Sequence, residues 1–275
     1  MSVIHTNVAA IKARSNLERV QRDMDTSVSR LASGKRIVDA RDDAAGSAIS
    51  GRMESQIRGL LMGVRHAKDG QSLVNTQDGA MKEITSVLQR MRELAVQSAS
   101  GTNSNTDNDY LNLEMVQLIA QVTEVAKNTR FNDTRVLTGT QFTFYHDIDV
   151  AGTSIQTVAA AVTAAALAVT IANVSIGGGS GINTSAAINK IDLAIATVDN
   201  KRANLGAVSN RFDHIVDNLT NVVANTEGAK SRIEDADFAV ETTQLTRNTV
   251  LQQAATSMIT QANAQKNTIL ALIQQ

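Results

Sequence analysis

Apolar residues recur at spacings of three and four along most of the chain, and no proline interrupts them. Pro fixes φ and lacks an N–H, so its absence permits unusually long helices. Ile4, Val8 and Ile11, then Leu17, Val20, Met24, Val28 and Leu31, step in this way, as do Met81, Ile84, Leu88, Met91 and Ala95. A cleaner run joins Ile188, Ile191, Ile195, Val198, Arg202 and Leu205 to Phe212, Ile215, Leu219 and Val222, and the chain closes with Leu251, Ala255, Met258, Ala262, Gln265, Ile269 and Leu272. This spacing keeps one seam against a partner helix. A helix over 188–223 would be about 50 Å long at roughly 1.5 Å per residue. The pattern predicts a mainly α fold: a long antiparallel, coiled-coil-like helical rod.

The loop signal Gly101–Asn105 turns the rod back, and a helix follows from about Asp107 to Thr129. Between Asp149 and Lys190 there is no charged residue. Phe142, Phe144, Ile148 and Val150 alternate as in a strand, and Gly177–Gly181 marks a turn before the long helix. Residues 141–184 therefore read as a short, partly β surface insertion with a hairpin. Val158–Ile176 is uncharged but too rich in Ala and Thr for a membrane span, so no membrane insertion is expected.

The two ends carry the functional information. Ala239–Gln275 has only Glu241, Arg247 and Lys266 as charges, the rest of its polar face being amides and hydroxyls. Such a face packs against copies of itself at lower desolvation cost than a charged one. Neither end has enough apolar surface to order alone. Both are expected to be disordered in the monomer and to become helical as subunits stack. A head-to-tail contact that does not close gives an open filament. The assembly residues on this reading are Ile4, Val8, Ile11, Leu17, Val20, Met24 and Leu31, with Leu251, Ala255, Met258, Ala262, Ile269 and Leu272.

Nothing in the chain points to chemistry. A net charge of −1 argues against nucleic acid, and the absence of Cys removes thiol nucleophiles and thiolate metal sites. The four His show no HExxH spacing, and His146 with Asp147 and Asp149 is weak ligation evidence. Arg41-Asp42-Asp43 reads as a charged helix N-terminal region favoured by the helix dipole. No catalytic residue, metal or cofactor is expected. The N-terminal segment lacks the apolar run of a cleaved signal peptide.

Several blocks resemble one family. LASGKRIVDARDDAAGSAISGRM (31–53) resembles the N-terminal signature of bacterial flagellins; LQRMRELAVQSASGTNS (88–104) and NTRFNDTRVLTG (128–139) resemble its next two blocks. RANLGAVSNRF (202–212), SRIEDADFA (231–239) and LQQAATSMITQAN (251–263) resemble its C-terminal blocks, so that about 230 of 275 residues are covered. Val38 stands where the family usually has Asn, and Val136 where it often has Leu.

The resemblance implies that 1–40 and 236–275 form an inner tube of helices, that 41–140 and 185–235 form an outer tube, and that the middle points outward. It implies a homopolymer outside the cell, the flagellar filament, exported unfolded by the flagellar type III apparatus for swimming motility. Implied partners are a cap protein, a hook–filament junction protein and an export chaperone on the C-terminal segment. Arg36, Arg41, Asp42, Asp43 and Arg52 would make subunit contacts. Gln89, Arg90, Glu93, Leu94 and Glu114 match a patch for axial packing that the vertebrate Toll-like flagellin receptor recognises in some members. The competing readings are the junction protein, which shares the terminal helices, and a secreted coiled-coil effector or signalling rod.

Overall fold

A computed structural model describes residues 6–145, 154–157, 161–177 and 181–273, the side chains at 181–183 and 265–273 excepted. The helices are α1 (Val8–Ser33), α2 (Ala44–Ser98), α3 (Asn105–Asn128), α4 (Ile171–Val174), α5 (Gly181–Glu234) and α6 (Phe238–Ile273). The strands are β1 (Arg130–Phe131), β2 (Thr134–Arg135), β3 (Thr143–Tyr145) and β4 (Ser154–Gln156). At 55 and 54 residues, α2 and α5 are the uninterrupted helices that a chain without Pro allows. The chain divides into two compact units, one running to Ile57 and resuming at Ala224, the other spanning Arg58–Val223.

The central unit is built on three helices. Met81, Ile84, Leu88, Met91 and Ala95 of α2 are fully buried, as their spacing predicts. They share one core with Met115, Ile119, Val122 and Ala126 of α3 and Ile191, Ala194, Val198, Leu205 and Phe212 of α5. Polar bridges from α2 to α5 flank that seam: Gln71 Nε2 donates to Asp213 at 2.7 Å, Arg202 Nε to Asp78 at 2.8 Å, and Arg92 Nε to Asp192 at 2.6 Å. The α2–α3 turn closes on a reciprocal cap in which Ser104 Oγ accepts from the Asp107 amide and the Asp107 carboxylate accepts from the Ser104 amide.

A hairpin that the periodicity does not reveal follows α3. Arg130 pairs with Arg135 and Phe131 with Thr134, antiparallel. Asn132 and Asp133 at its tip both take positive φ, 47° and 62°, as a two-residue hairpin turn of this hand requires. The buried Gln77 donates to Val136 O at 2.7 Å and ties the hairpin's exit to α2.

The expected strand begins at Thr143 and pairs with β4, Phe144 opposite Ile155; the segment 146–153, with His146, Ile148 and Val150, lies outside the described residues. The described residues 154–157 and 161–176 correct the expectation of a surface insertion. Ile155, Val162, Leu167, Val169, Val174 and Ile176 are buried in the central core. The segment lacks charges because it supplies core. It forms turns and the single turn of α4, and no described helix is long and apolar enough to cross a membrane.

Candidate assembly interface

The terminal unit is organised differently. α1 starts with the Asn7 side chain accepting from the Ala10 amide, 3.1 Å, and stops at Gly34, whose φ of 71° is the left-handed stop that glycine takes most easily. The chain then bonds to the α5–α6 junction: Arg36 N donates to Glu234 O at 2.7 Å, and Ala236 N to Gly34 O at 3.0 Å. From there α6 packs back along α1, so that at the far end Asn7 Nδ2 donates to Ala262 O at 3.1 Å.

Two heptad faces meet in this pair. α1 turns Ala10, Ala13, Leu17, Val20, Met24, Ser27 and Arg30 inward; α6 turns Glu241, Leu245, Asn248, Gln252, Ala255, Ile259 and Ala262. Among the described side chains of this unit the buried ones are Ser27, Ile37, Ser50, Ile57, Glu234, Glu241 and Asn248. Only two of those are apolar, so the pair has almost no hydrophobic core of its own.

This corrects the phase read from the sequence for α6. Leu251 (42% exposed) and Met258 (63%) do not face α1; Ala255 and Ala262 do. Val8, Ile11 and Val28 are likewise exposed on α1, and Phe238, Val240 and Val250 on α6. Leu17, Val20, Met24 and Leu31 are half-buried. Ile4 and the side chains of Ile269 and Leu272 lie outside the described residues. Sequence reasoning missed Ser27, Arg30, Glu241 and Asn248, although their own three–four spacing was available.

The described hydroxyls of α6 do not need a partner from elsewhere. Thr242 and Thr243 donate to Phe238 O and Ala239 O, both at 2.8 Å, and Thr246 to Thr242 O at 2.9 Å. Thr249, Thr256, Ser257 and Thr260 bond the preceding turn in the same way. A hydroxyl so satisfied can leave water without the penalty of an unmade bond.

The loop residues of the signature serve the backbone first. Asp42 Oδ2 accepts from the Asp39 and Val38 amides, 3.1 Å each, and these bonds hold its carboxyl below the usual range, with Arg30 adding to the effect. Asp43 Oδ1 accepts from the Gly46 amide at 2.9 Å, at the start of α2. Arg36 Nη2 donates to Ile233 O at 2.7 Å; Arg41 pairs with Asp39 at 3.1 Å in the open, and Arg52 is exposed.

In the central unit, Arg90 bridges α2 and α3, donating to Glu114 and to Glu93, each at 3.0 Å. The Glu114 bond, then the Glu93 bond, push its guanidinium pKa further up. Gln89 is exposed beside them. Leu94, expected in the same patch, is 1% exposed and belongs to the core.

Comparison with known proteins now decides the family. The description of the bacterial flagellin N-terminal helical region matches residues 4–142, and that of the C-terminal helical region matches 188–273. The chain belongs to the bacterial flagellin family. A flagellin of Halalkalibacterium halodurans is 38% identical over 272 residues, covering 98% of this chain and 99% of that protein. The flagellar filament 33 kDa core protein of Treponema phagedenis is 34% identical over 288 residues, with the same coverage. Among solved structures, Bacillus cereus flagellin superposes with a TM-score of 0.50 at 31% identity, over 59% of this chain and 94% of that one. A flagellar hook-associated chain from Vibrio parahaemolyticus reaches 0.61 at 13% identity, over 70% and 100%, a likeness of fold alone. Flagellins are structural subunits of the extracellular filament and not enzymes.

Proposed function

We propose that this flagellin polymerises through the outer faces of α1 and α6 into the helical filament that drives swimming, that the two ends order as they assemble, and that the chain reaches the tip unfolded through the flagellar type III apparatus. One observation carries the reading: Val8, Ile11, Val28, Phe238, Val240, Val250, Leu251 and Met258 are all exposed by 42–65%, on the two helices that have almost no apolar core. Fully burying a side chain of this kind is worth ~1.5–3 kcal/mol. Half of that for each of the eight gives roughly 6–12 kcal/mol per subunit before the cost of association. The self-bonded hydroxyls of α6 lower the polar cost of the same burial.

Removal of residues 240–275 tests the proposal. Electron microscopy of the full chain in ammonium sulfate is expected to give long uniform filaments, with helicity by circular dichroism rising on assembly. The truncated chain is expected to stay monomeric. Filaments from the truncated chain would refute the terminal-helix mechanism.

The cap, the junction protein and the chaperone are partners on the same reading, since each has to engage these ends before or instead of a neighbouring subunit. The exposed Gln89–Arg90–Glu93–Glu114 cluster supports axial packing, with recognition by the Toll-like receptor secondary to it. The buried Leu94 would act there only as the support beneath Arg90.

A further inference from the structure

The β1–β2 hairpin carries charge that its own unit does not use. Arg130 and Arg135 stand directly opposite one another, and the next rung of the ladder is the bond from Val136 N to Thr129 O at 3.3 Å. The arginines therefore occupy a non-hydrogen-bonded pair, where side chains of antiparallel strands come closest. Like charges in that position are destabilising. Both guanidiniums are exposed, and no carboxylate of the described residues forms an ion pair with either.

The pair is also held in place. Phe131, on the opposite face of the hairpin, packs against the central core, and Val136 and Leu137 just beyond the strands are fully buried. Gln77 of α2 fixes Val136 O. Two planar cations presented side by side on a fixed backbone suit carboxylates, which accept from both.

Carboxylates are segregated towards the other end of α3. Residues 94–126 include Asp107, Asp109, Glu114 and Glu124 but no Lys or Arg, and then Lys127, Arg130 and Arg135 follow. Asp107 lies in the first turn of α3 and Lys127 in its last. A unit with opposite charge at its two ends is complementary to a copy of itself stacked end to end. Glu114, which Arg90 already holds, keeps lone pairs for a second donor.

We infer that the Arg130–Arg135 pair of one copy receives the carboxylates Asp107, Asp109 and Glu114 of the next. The inference rests on the polymer proposed above and adds to it a contact made by the central unit, separate from the terminal helices. The repulsion between the two arginines is present in the free subunit and is relieved when a neighbour docks.

The test is seeded growth at low ionic strength, where exposed charges are least screened. R130Q/R135Q is expected to raise the urea midpoint of the unassembled chain yet slow elongation by roughly tenfold, opposite signs that a purely structural role would not produce. Added sodium chloride should narrow the gap between this variant and the parent. R130E/R135E keeps two like charges on the hairpin, so it is expected to fold as the parent does and not to elongate. Filaments are also grown from equal parts of unlabelled and nitrogen-15-labelled chains and treated with a carbodiimide. Mass spectrometry should find Lys127 joined to Asp107, Asp109 or Glu114 in mixed-isotope products that unassembled chains do not give.

Elongation of R130E/R135E at the parent's rate would overturn the inference, as would filaments without those interchain links. In both cases the parent still grows, so the contact falls alone. A parent that forms no filament would overturn the proposed polymer, and the contact with it.

Discussion

Replacing Gly70 by Ala should destabilise the central unit, even though alanine is the better helix former. A Cβ at this position would lie 2.6 Å from Phe212 Cζ and 3.0 and 3.1 Å from the two adjoining ring carbons. Carbon atoms pack best at ~3.5–4.0 Å, so the nearest contact is about an ångström too short. The ring cannot easily withdraw: it is 1% exposed and stands edge-on to Phe144, centroids 5.7 Å apart at 87°. Overpacking of this kind costs ~1–3 kcal/mol, against a propensity gain of about 1 kcal/mol. The net expectation is a loss of on the order of 1 kcal/mol.

Gly79, on the same helix, provides the control, because its Cβ would meet nothing within 4 Å. Gly79→Ala should gain about 0.5–1 kcal/mol, which separates the two variants by roughly 2 kcal/mol. Urea unfolding followed by circular dichroism measures the difference as a shift in midpoint at constant slope. Adding Phe212→Leu to Gly70→Ala should recover part of the loss, because the clash and the ring are one site. If both Gly→Ala variants rose in stability together, the close approach of α2 to Phe212 would not be a constraint on the fold.

Ala168 holds φ at 56°, a left-handed conformation that costs an L-residue ~1–2 kcal/mol, so Ala168→Gly should raise the free energy of unfolding, read from the urea midpoint, by up to about 1 kcal/mol despite the added chain entropy. Asp107 is held below the usual carboxylate range by the Ser104 hydroxyl and then the Ser104 amide. Its contribution is therefore present above the ordinary Asp value and is lost as pH falls through the lowered one. Protection of the amides at the start of α3, measured by hydrogen exchange relative to the intrinsic rate at each pH, should fall on acidification across that window, and Ser104→Ala should flatten the response. Met258→Glu places a charge on the outer face of α6, and light scattering in seeded assembly should show no growth at concentrations where the parent elongates. Unchanged growth would remove Met258 from the contact surface.

The central seam was legible because one pattern served one purpose. Met81, Ile84, Leu88, Met91 and Ala95 are apolar, evenly spaced and buried. α6 was misread for the opposite reason: it has two faces that compete for the reading. The apolar one through Leu251 and Met258 dominates the pattern but is turned outward, while Glu241, Asn248 and Gln252 face α1. A single sequence gives no sign that a helix covers its polar stripe and leaves its apolar one bare; that ordering makes physical sense only when copies of the chain are counted as solvent. The uncharged stretch before α5 misled similarly, since lack of charge is shared by inert surface and by core. The β1–β2 hairpin is too short for periodicity, and its signal was the Asn132-Asp133 pair between Phe131 and Thr134.

The folded-back hydroxyls of α6 have a mechanical consequence. The threonines that satisfy their own hydroxyls present neighbours with methyls, which attract without specifying direction. Small sliding between such surfaces breaks no bond, whereas a face of unsatisfied donors would hold each neighbour at one setting. On the proposed assembly, Thr242, Thr243, Thr246, Thr249, Thr256 and Thr260 would act as lubricated contacts, cohesive along the normal and compliant in shear.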